Sequence, residues 1–317
     1  MKLFRTTLTL LCIILFSSCM DESAYCPTDR NIVLNFAYVY NGSNVFDDNV
    51  QSVSLFVFDN TTGLLVHNET IDDAQLSAFA GTTLNHLAPG DYRVVAWGNA
   101  LPQRSAFGSV NEGDHINDAY VGRHGVPRST APQSGDGDRL HFAPGLLTIQ
   151  PIGDLEATLS FARAYIEIEV FVVDLALHTG DTQPPIIEID DAASHYDFNR
   201  VPEGNITLRE TTAVRTEYVE RPAVAMFRTK LFDNNANLTK ELRVHSASDE
   251  NIVHFTIDNA MFRQMIAEFM ADNNIHSLKA DAAPQRIIPI TIEFRGQDVN
   301  VSVNVPVFEL EPGNPIF

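Results

Sequence analysis

Ile288-Pro289-Ile290-Thr291-Ile292-Glu293-Phe294, then Arg295-Gly296-Gln297-Asp298, then Val299-Asn300-Val301-Ser302-Val303-Asn304-Val305-Pro306-Val307 form the most regular stretch of the chain. Apolar residues fall on every second position of both arms, the period at which a strand turns one face to a core. The short Gly-containing connection suits a hairpin. Two antiparallel strands are expected, with Ile288, Ile290, Ile292 and Phe294 inward and Val299, Val301, Val303, Val305 and Val307 as the second apolar row. Pro306 cannot donate to a ladder, so the second arm belongs at a sheet edge. An exposed edge can pair with another chain.

The same period recurs outward from this hairpin. Val53, Leu55 and Val57 oppose Ser52, Ser54, Phe56 and Phe58, and a turn through Asp59 to Gly63 leads to Leu64-Leu65-Val66, a second hairpin. Residues 82–87 and 92–97 flank Ala88-Pro89-Gly90-Asp91, which predicts a third. Strands are also expected at 145–150 and 155–161. In Ala164-Tyr165-Ile166-Glu167-Ile168-Glu169-Val170 the isoleucines and valine face inward and both glutamates face solvent. Further strands are expected at 186–189, 217–219, 223–229, 242–245 and 253–257. One helix interrupts them: Asp258 caps it, and Phe262, Met265, Ile266 and Phe269 form a single apolar stripe ending at Asn273-Asn274. Residues 102–144 are rich in Gly, Pro, Asp and Ser without a period, as in a long surface loop. The sum is an all-β chain of two β-sandwiches, residues 31–161 and 162–317, with one short helix in the second.

The N-terminus carries Lys2 and Arg5, an apolar run from Leu8 to Phe16, then Ser17-Ser18-Cys19. That run has the length of a signal peptide and falls short of a membrane span. Residues 1–18 therefore read as a signal peptide. Phe16-Ser17-Ser18-Cys19 resembles the lipobox of bacterial lipoproteins, which implies acylation of Cys19, a lipidated leader over 19–30 and stable membrane attachment. Met20-Asp21-Glu22 resembles the surface-export signal of Bacteroidales lipoproteins.

With Cys12 in the signal and Cys19 acylated, Cys26 is the remaining thiol, so no intramolecular disulfide is available. A net charge of −20, with the acids spread along the chain, makes nucleic acid and anionic lipid poor partners. The ten histidines lack zinc-site spacing, and His115 and His124 read as solvated loop residues. Asp233-Asn234-Asn235-Ala236-Asn237 opens like a calcium loop but has Leu238 where Gly is needed and Val244 in place of the bidentate Glu. No metal or cofactor is expected. Phosphate loops, nucleophile elbows and Cys/His pairs are absent from the sequence, which leaves an enzyme as the weakest reading.

Val53-Ser54-Leu55-Phe56-Val57-Phe58-Asp59 with its Gly turn, Leu87-Ala88-Pro89-Gly90-Asp91-Tyr92-Arg93-Val94-Val95-Ala96-Trp97-Gly98-Asn99, and the entry through Arg163 into Ile166 to Val170 resemble the fimbrial anchor subunits of Bacteroidales type V pili. Phe308-Glu309 departs from the Trp-Glu expected near the end. The resemblance implies two transthyretin-like sandwiches, an outer-membrane anchor through Cys19, pilin subunits as partners, and a role in holding and terminating a pilus. Stalk subunits of such pili are similar in fold and become polymerisable when a protease cuts after an arginine and frees an N-terminal strand. Arg30 stands ahead of the first strand here, so a cut would remove only the leader, as suits an uncut anchor. Val299 to Val307 is the expected pairing strand. The competing readings are a tip subunit and a surface lipoprotein that binds glycan or a host ligand through the 102–144 loop.

Overall fold

The structure is a computed structural model and describes residues 30–124, 132–180, 182–216, 218–230, 240–278, 281, 283, 284 and 286–304. In its N-terminal half, β1 (Ile32–Ala37) lies between β12 (Leu155–Ser160), to which it is parallel, and β6 (Gly81–Thr83), to which it is antiparallel. Facing this sheet are five antiparallel strands in the order β13 (Ala162–Arg163), β11 (His141–Ile149), β7 (Gly90–Gly98), β4 (Val53–Asp59) and β5 (Leu65–Ile71). Alternation sends Ile32, Leu34 and Phe36 of one sheet and Val53, Leu55, Val57, Val94 and Ala96 of the other into a shared core. A small hairpin, β2 (Val39–Tyr40) and β3 (Ser43–Asn44), turns at Asn41-Gly42, both at positive φ as a type I′ turn requires. Two short helices complete this half, α1 (Phe46–Asn49) and α2 (Asp73–Ala78), the latter held by a capping box between Asp72 and Gln75.

The hairpin expected at 53–66 forms, whereas the one at 82–97 does not. β6 pairs with β1 and β7 pairs with β4 and β11, so the two arms belong to opposite sheets. The connection crosses the sandwich as an arch because Leu84 and Leu87 are themselves buried in the core between the sheets.

The C-terminal half repeats the layering. One sheet runs β19 (Ala213–Val214), β20 (Ala223–Thr229), β14 (Ile166–Val173), β23 (Ile287–Arg295), β24 (Asp298–Ser302). The other runs β10 (Gln133–Ser134), β18 (Ile206–Thr211), β15 (Ile186–Ala192), β21 (Leu242–His245), β22 (Val253–Ile257). Between them, Ile166, Ile168 and Val170 meet Ile187, Ile189, Leu242 and Val244. After the short α3 (Leu175–Thr179), the main helix is α4 (Asn259–Asp272). The Asp258 side chain accepts the Met261 N–H at 2.9 Å, and Phe262, Met265, Ile266 and Phe269 are the buried stripe. Of the strand expected at 217–219, Val219 lies in a turn, and the strand that flanks β20 is β19.

The largest departure from expectation is residues 102–144. They were expected as a surface loop, but they supply β8 (Ser105–Gly108) and β9 (Tyr120–Arg123), which join β16 (His195–Asp197) and β17 (Pro202–Glu203) of the C-terminal half in a four-stranded sheet. This sheet covers the outer face of β4, β7 and β11 and closes a third core of Phe56, Phe58, Trp97, Phe142, Tyr196 and Phe198. The halves also exchange in the other direction, since β10 pairs with β18. The apolar residues responsible, Ile116, Val121 and Leu140 among them, are too widely spaced to show a period.

Candidate functional site

β24 is the outermost strand of its sheet, and among the described residues no strand pairs with its far side. Its hairpin with β23 closes on the pair Arg295 and Asp298, with Gly296 at φ +65 in the first central position. In a two-residue hairpin the closing pair is hydrogen-bonded and every second pair beyond it likewise: 293 with 300, 291 with 302, 289 with 304. The last of these would need an N–H from Pro289, which has none. The Thr291 hydroxyl donates to the Asn304 carbonyl instead, at 3.0 Å. This explains why β24 ends at Ser302, with the described Val303 and Asn304 beyond it outside the ladder. Val299, Val301 and Val303 pack half-buried against the C-terminal core, while Val305, Pro306 and Val307 lie outside the described residues. At the turn, Arg295 donates to Glu293 at 2.7 Å, which holds the Glu293 carboxyl below its ordinary value.

At the other end of the chain β1 is firmly seated. The Arg30 guanidinium is buried and donates to the carbonyls of Leu87 at 2.9 Å and Gln150 at 3.0 Å. The next two backbone N–H groups are taken by Asp154 Oδ1 at 2.8 Å and Asn85 Oδ1 at 2.6 Å. The groove between β12 and β6 is thereby filled by the chain's own strand. Residues 1–18, Cys19 and Cys26 lie outside the described residues. Among the described residues, no helix is long and apolar enough to cross a membrane.

Ionic groups concentrate where the halves meet. Glu167 was expected to face solvent, yet it is 1% exposed and accepts from Arg139 at 3.1 Å and Arg228 at 2.7 Å. Its position on β14 turns it toward the polypeptide that bridges the halves, and the two guanidiniums satisfy a carboxylate that would otherwise be costly to bury. Arg163, fully buried, pairs with Asp281 at 3.0 Å. Beside it His141 is pushed down to about 4 by burial, so it is neutral at ordinary pH. These groups hold the junction together. Sequence periodicity could not find them, because each owes its burial to a distant segment.

The described residues contain no group of His, Cys, Asp and Glu that could hold a metal ion. His115 packs against the tight turn at Gly63, where a Cβ would lie 2.5 Å from its Nε2, and its Nδ1 accepts the Asn117 N–H at 3.1 Å. The stretch 233–237 that opens like a calcium loop lies outside the described residues.

Residues 22–311 match the family model of fimbrillin-A associated anchor proteins Mfa1 and Mfa2. The chain belongs to this anchor-protein family. No curated protein matches it. Among solved structures, the fimbrial anchor protein Mfa2 from Porphyromonas gingivalis is similar with a TM-score of 0.64 at 13% identity, over 89% of this chain and 99% of that one. A candidate adhesin from Bacteroides ovatus gives 0.67 at 14% identity, over 90% and 96%. A candidate polysaccharide-binding protein from Bacteroides thetaiotaomicron gives 0.64 at 14%, over 84% and 91%. The shared fold is the β-sandwich pair described above. As a member of this family the chain is a fimbria-associated protein of the cell surface, in a family of structural anchor proteins.

Proposed function

We propose that this protein is an outer-membrane lipoprotein that anchors surface fimbriae and terminates their assembly. In this reading residues 1–18 are removed, Cys19 carries the lipid, the leader 19–30 links membrane to protein, and residues 31–161 and 162–317 act as two sandwich domains. The fimbrial subunit is bound by main-chain pairing along the Val299 to Val307 segment, with alternating side chains setting specificity.

The observation that carries this reading is the β24 edge, unpaired among the described residues, on a chain whose own first strand already fills its groove. A subunit so arranged has no vacant groove between β12 and β6 to extend a filament, and it offers an edge at the opposite end of the sequence. Deletion of the gene followed by imaging tests the proposal. The expected result is fimbriae shed from the cell or of altered length. Attached fimbriae of unchanged length, in a strain that expresses the locus, would overturn it. Palmitate labelling of the wild type that disappears in Cys19→Ala tests the lipid attachment separately.

A further inference from the structure

The polypeptide that builds the third core borders a surface cleft. It lies between the outer face of β4 and β5 and the wall made by residues 100–110, with a volume of about 490 Å³. That is within the roughly 300–1,000 Å³ of small-molecule sites. The floor is set by strand alternation. Leu55 faces the N-terminal core, so the cross-strand pairs Ser54 with Thr70 and Phe56 with Asn68 face the cleft. The hydroxyls of Ser52, Ser54 and Thr70 make no hydrogen bond with any described residue. Asn68 donates to the Val110 carbonyl at 2.9 Å, which leaves its amide oxygen as an acceptor. The facing wall is apolar: Leu101 is 40% exposed, and the half-buried Phe107 ring sits 4.9 Å from that of Phe56.

We propose that this cleft binds a short neutral oligosaccharide. A sugar ring carries hydroxyls around its rim and C–H groups on its faces, and it can meet a hydroxylated floor and an aromatic-aliphatic wall at once. Anionic ligands find no match, since neither Lys nor Arg lines the cleft and the chain carries a net charge of −20. The ionisable groups at its rim are His124 and Glu69. Alternation turns the Glu69 carboxylate to the opposite face of β5, toward His67 Nε2 at 3.9 Å. An extended peptide is also a poor match. The floor is the face of a sheet, whose main-chain groups are spent in the ladder, so strand addition is not available there.

The test is an array of immobilised neutral oligosaccharides of two to six units from the gluco-, manno-, xylo- and N-acetyllactosamine series. Sialylated and sulfated counterparts and a panel of twelve-residue peptides serve as the other arms, and the detergent-solubilised full chain is the probe. The expected result is retention on one or more neutral series and on none of the charged or peptide arms. Thr70→Arg places a long side chain in the cleft from an exposed position and should reduce binding at least tenfold with an unchanged thermal midpoint. Phe107→Ala should weaken it similarly. The proposal fails if no neutral glycan is retained, if Thr70→Arg binds like wild type, or if the charged or peptide arms are retained instead.

Discussion

Phe198→Ala is the substitution that most directly probes how the halves are joined. Phe198 comes from the C-terminal half, just beyond β16, yet its fully buried ring lies 5.0 Å from Phe56, 5.9 Å from Phe58 and 6.3 Å from both Trp97 and Phe107. Truncating a buried phenylalanine costs about 3–5 kcal/mol, from lost transfer energy and the cavity left behind. Here the cavity is walled by two sheets from different parts of the chain and cannot easily collapse, so the upper part of that range is expected. At roughly 2–4 °C per kcal/mol for a chain of this size, the thermal midpoint should fall by about 10 °C or more. The informative assay is native-state hydrogen exchange. If the third core couples the halves, amides of β4 and β7 should lose about 2 kcal/mol or more of protection although the mutated residue is remote in sequence. Loss confined to β16 and β17, or a stability change below about 1 kcal/mol, would refute the coupling.

Three further predictions concern buried polar groups and a helix cap. Burial pushes Lys230 down to about 7, against about 10.4 in an unfolded chain. Between those values the unfolded state holds a proton the fold lacks, so this group makes stability rise with pH. Lys230→Met should therefore stabilise most below pH 7, with the gain shrinking toward pH 10. Urea midpoints at pH 6.5 and 9.5 check this, and an equal gain at both would contradict it. Glu167→Gln keeps the side-chain shape but removes the carboxylate that Arg139 and Arg228 share, leaving Arg228 with Asp136 alone. The expected loss is about 2 kcal/mol by denaturant titration, below that for a fully buried pair because Arg139 remains partly hydrated. Asp258→Ala removes the cap of α4 and should cost about 1 kcal/mol in the same titration.

The elements legible in the sequence were those whose pattern is local. β20, β21 and β22 follow the expected strands residue for residue, and α4 ends where its apolar stripe ends, because a single face of each meets a single core. Legibility failed wherever both faces are buried or the partner is distant. Phe56 and Phe58 look like the outer side of an alternating strand, and only the third core shows why they are aromatic. Glu167 looks like a solvent-facing acid until Arg139 and Arg228 arrive from 28 and 61 residues away. Leu84 and Leu87 look like part of a hairpin arm, and instead they pin an arch between sheets. At the candidate site, Pro306 identified the edge from sequence, while the end of the strand at Ser302 depended on Pro289 across the ladder.

The proposed docking of a fimbrial subunit on β24 has a consequence that can be read on the cell. A photoreactive amino acid at Asn300, exposed on that edge strand, and activated on intact fimbriated cells would capture whatever pairs there. The expected result is a covalent adduct with a fimbrial subunit, lost when Val301→Pro disrupts the edge. Fimbriated cells that yield no such adduct at Asn300, but yield one from a control position such as Thr70, would contradict it.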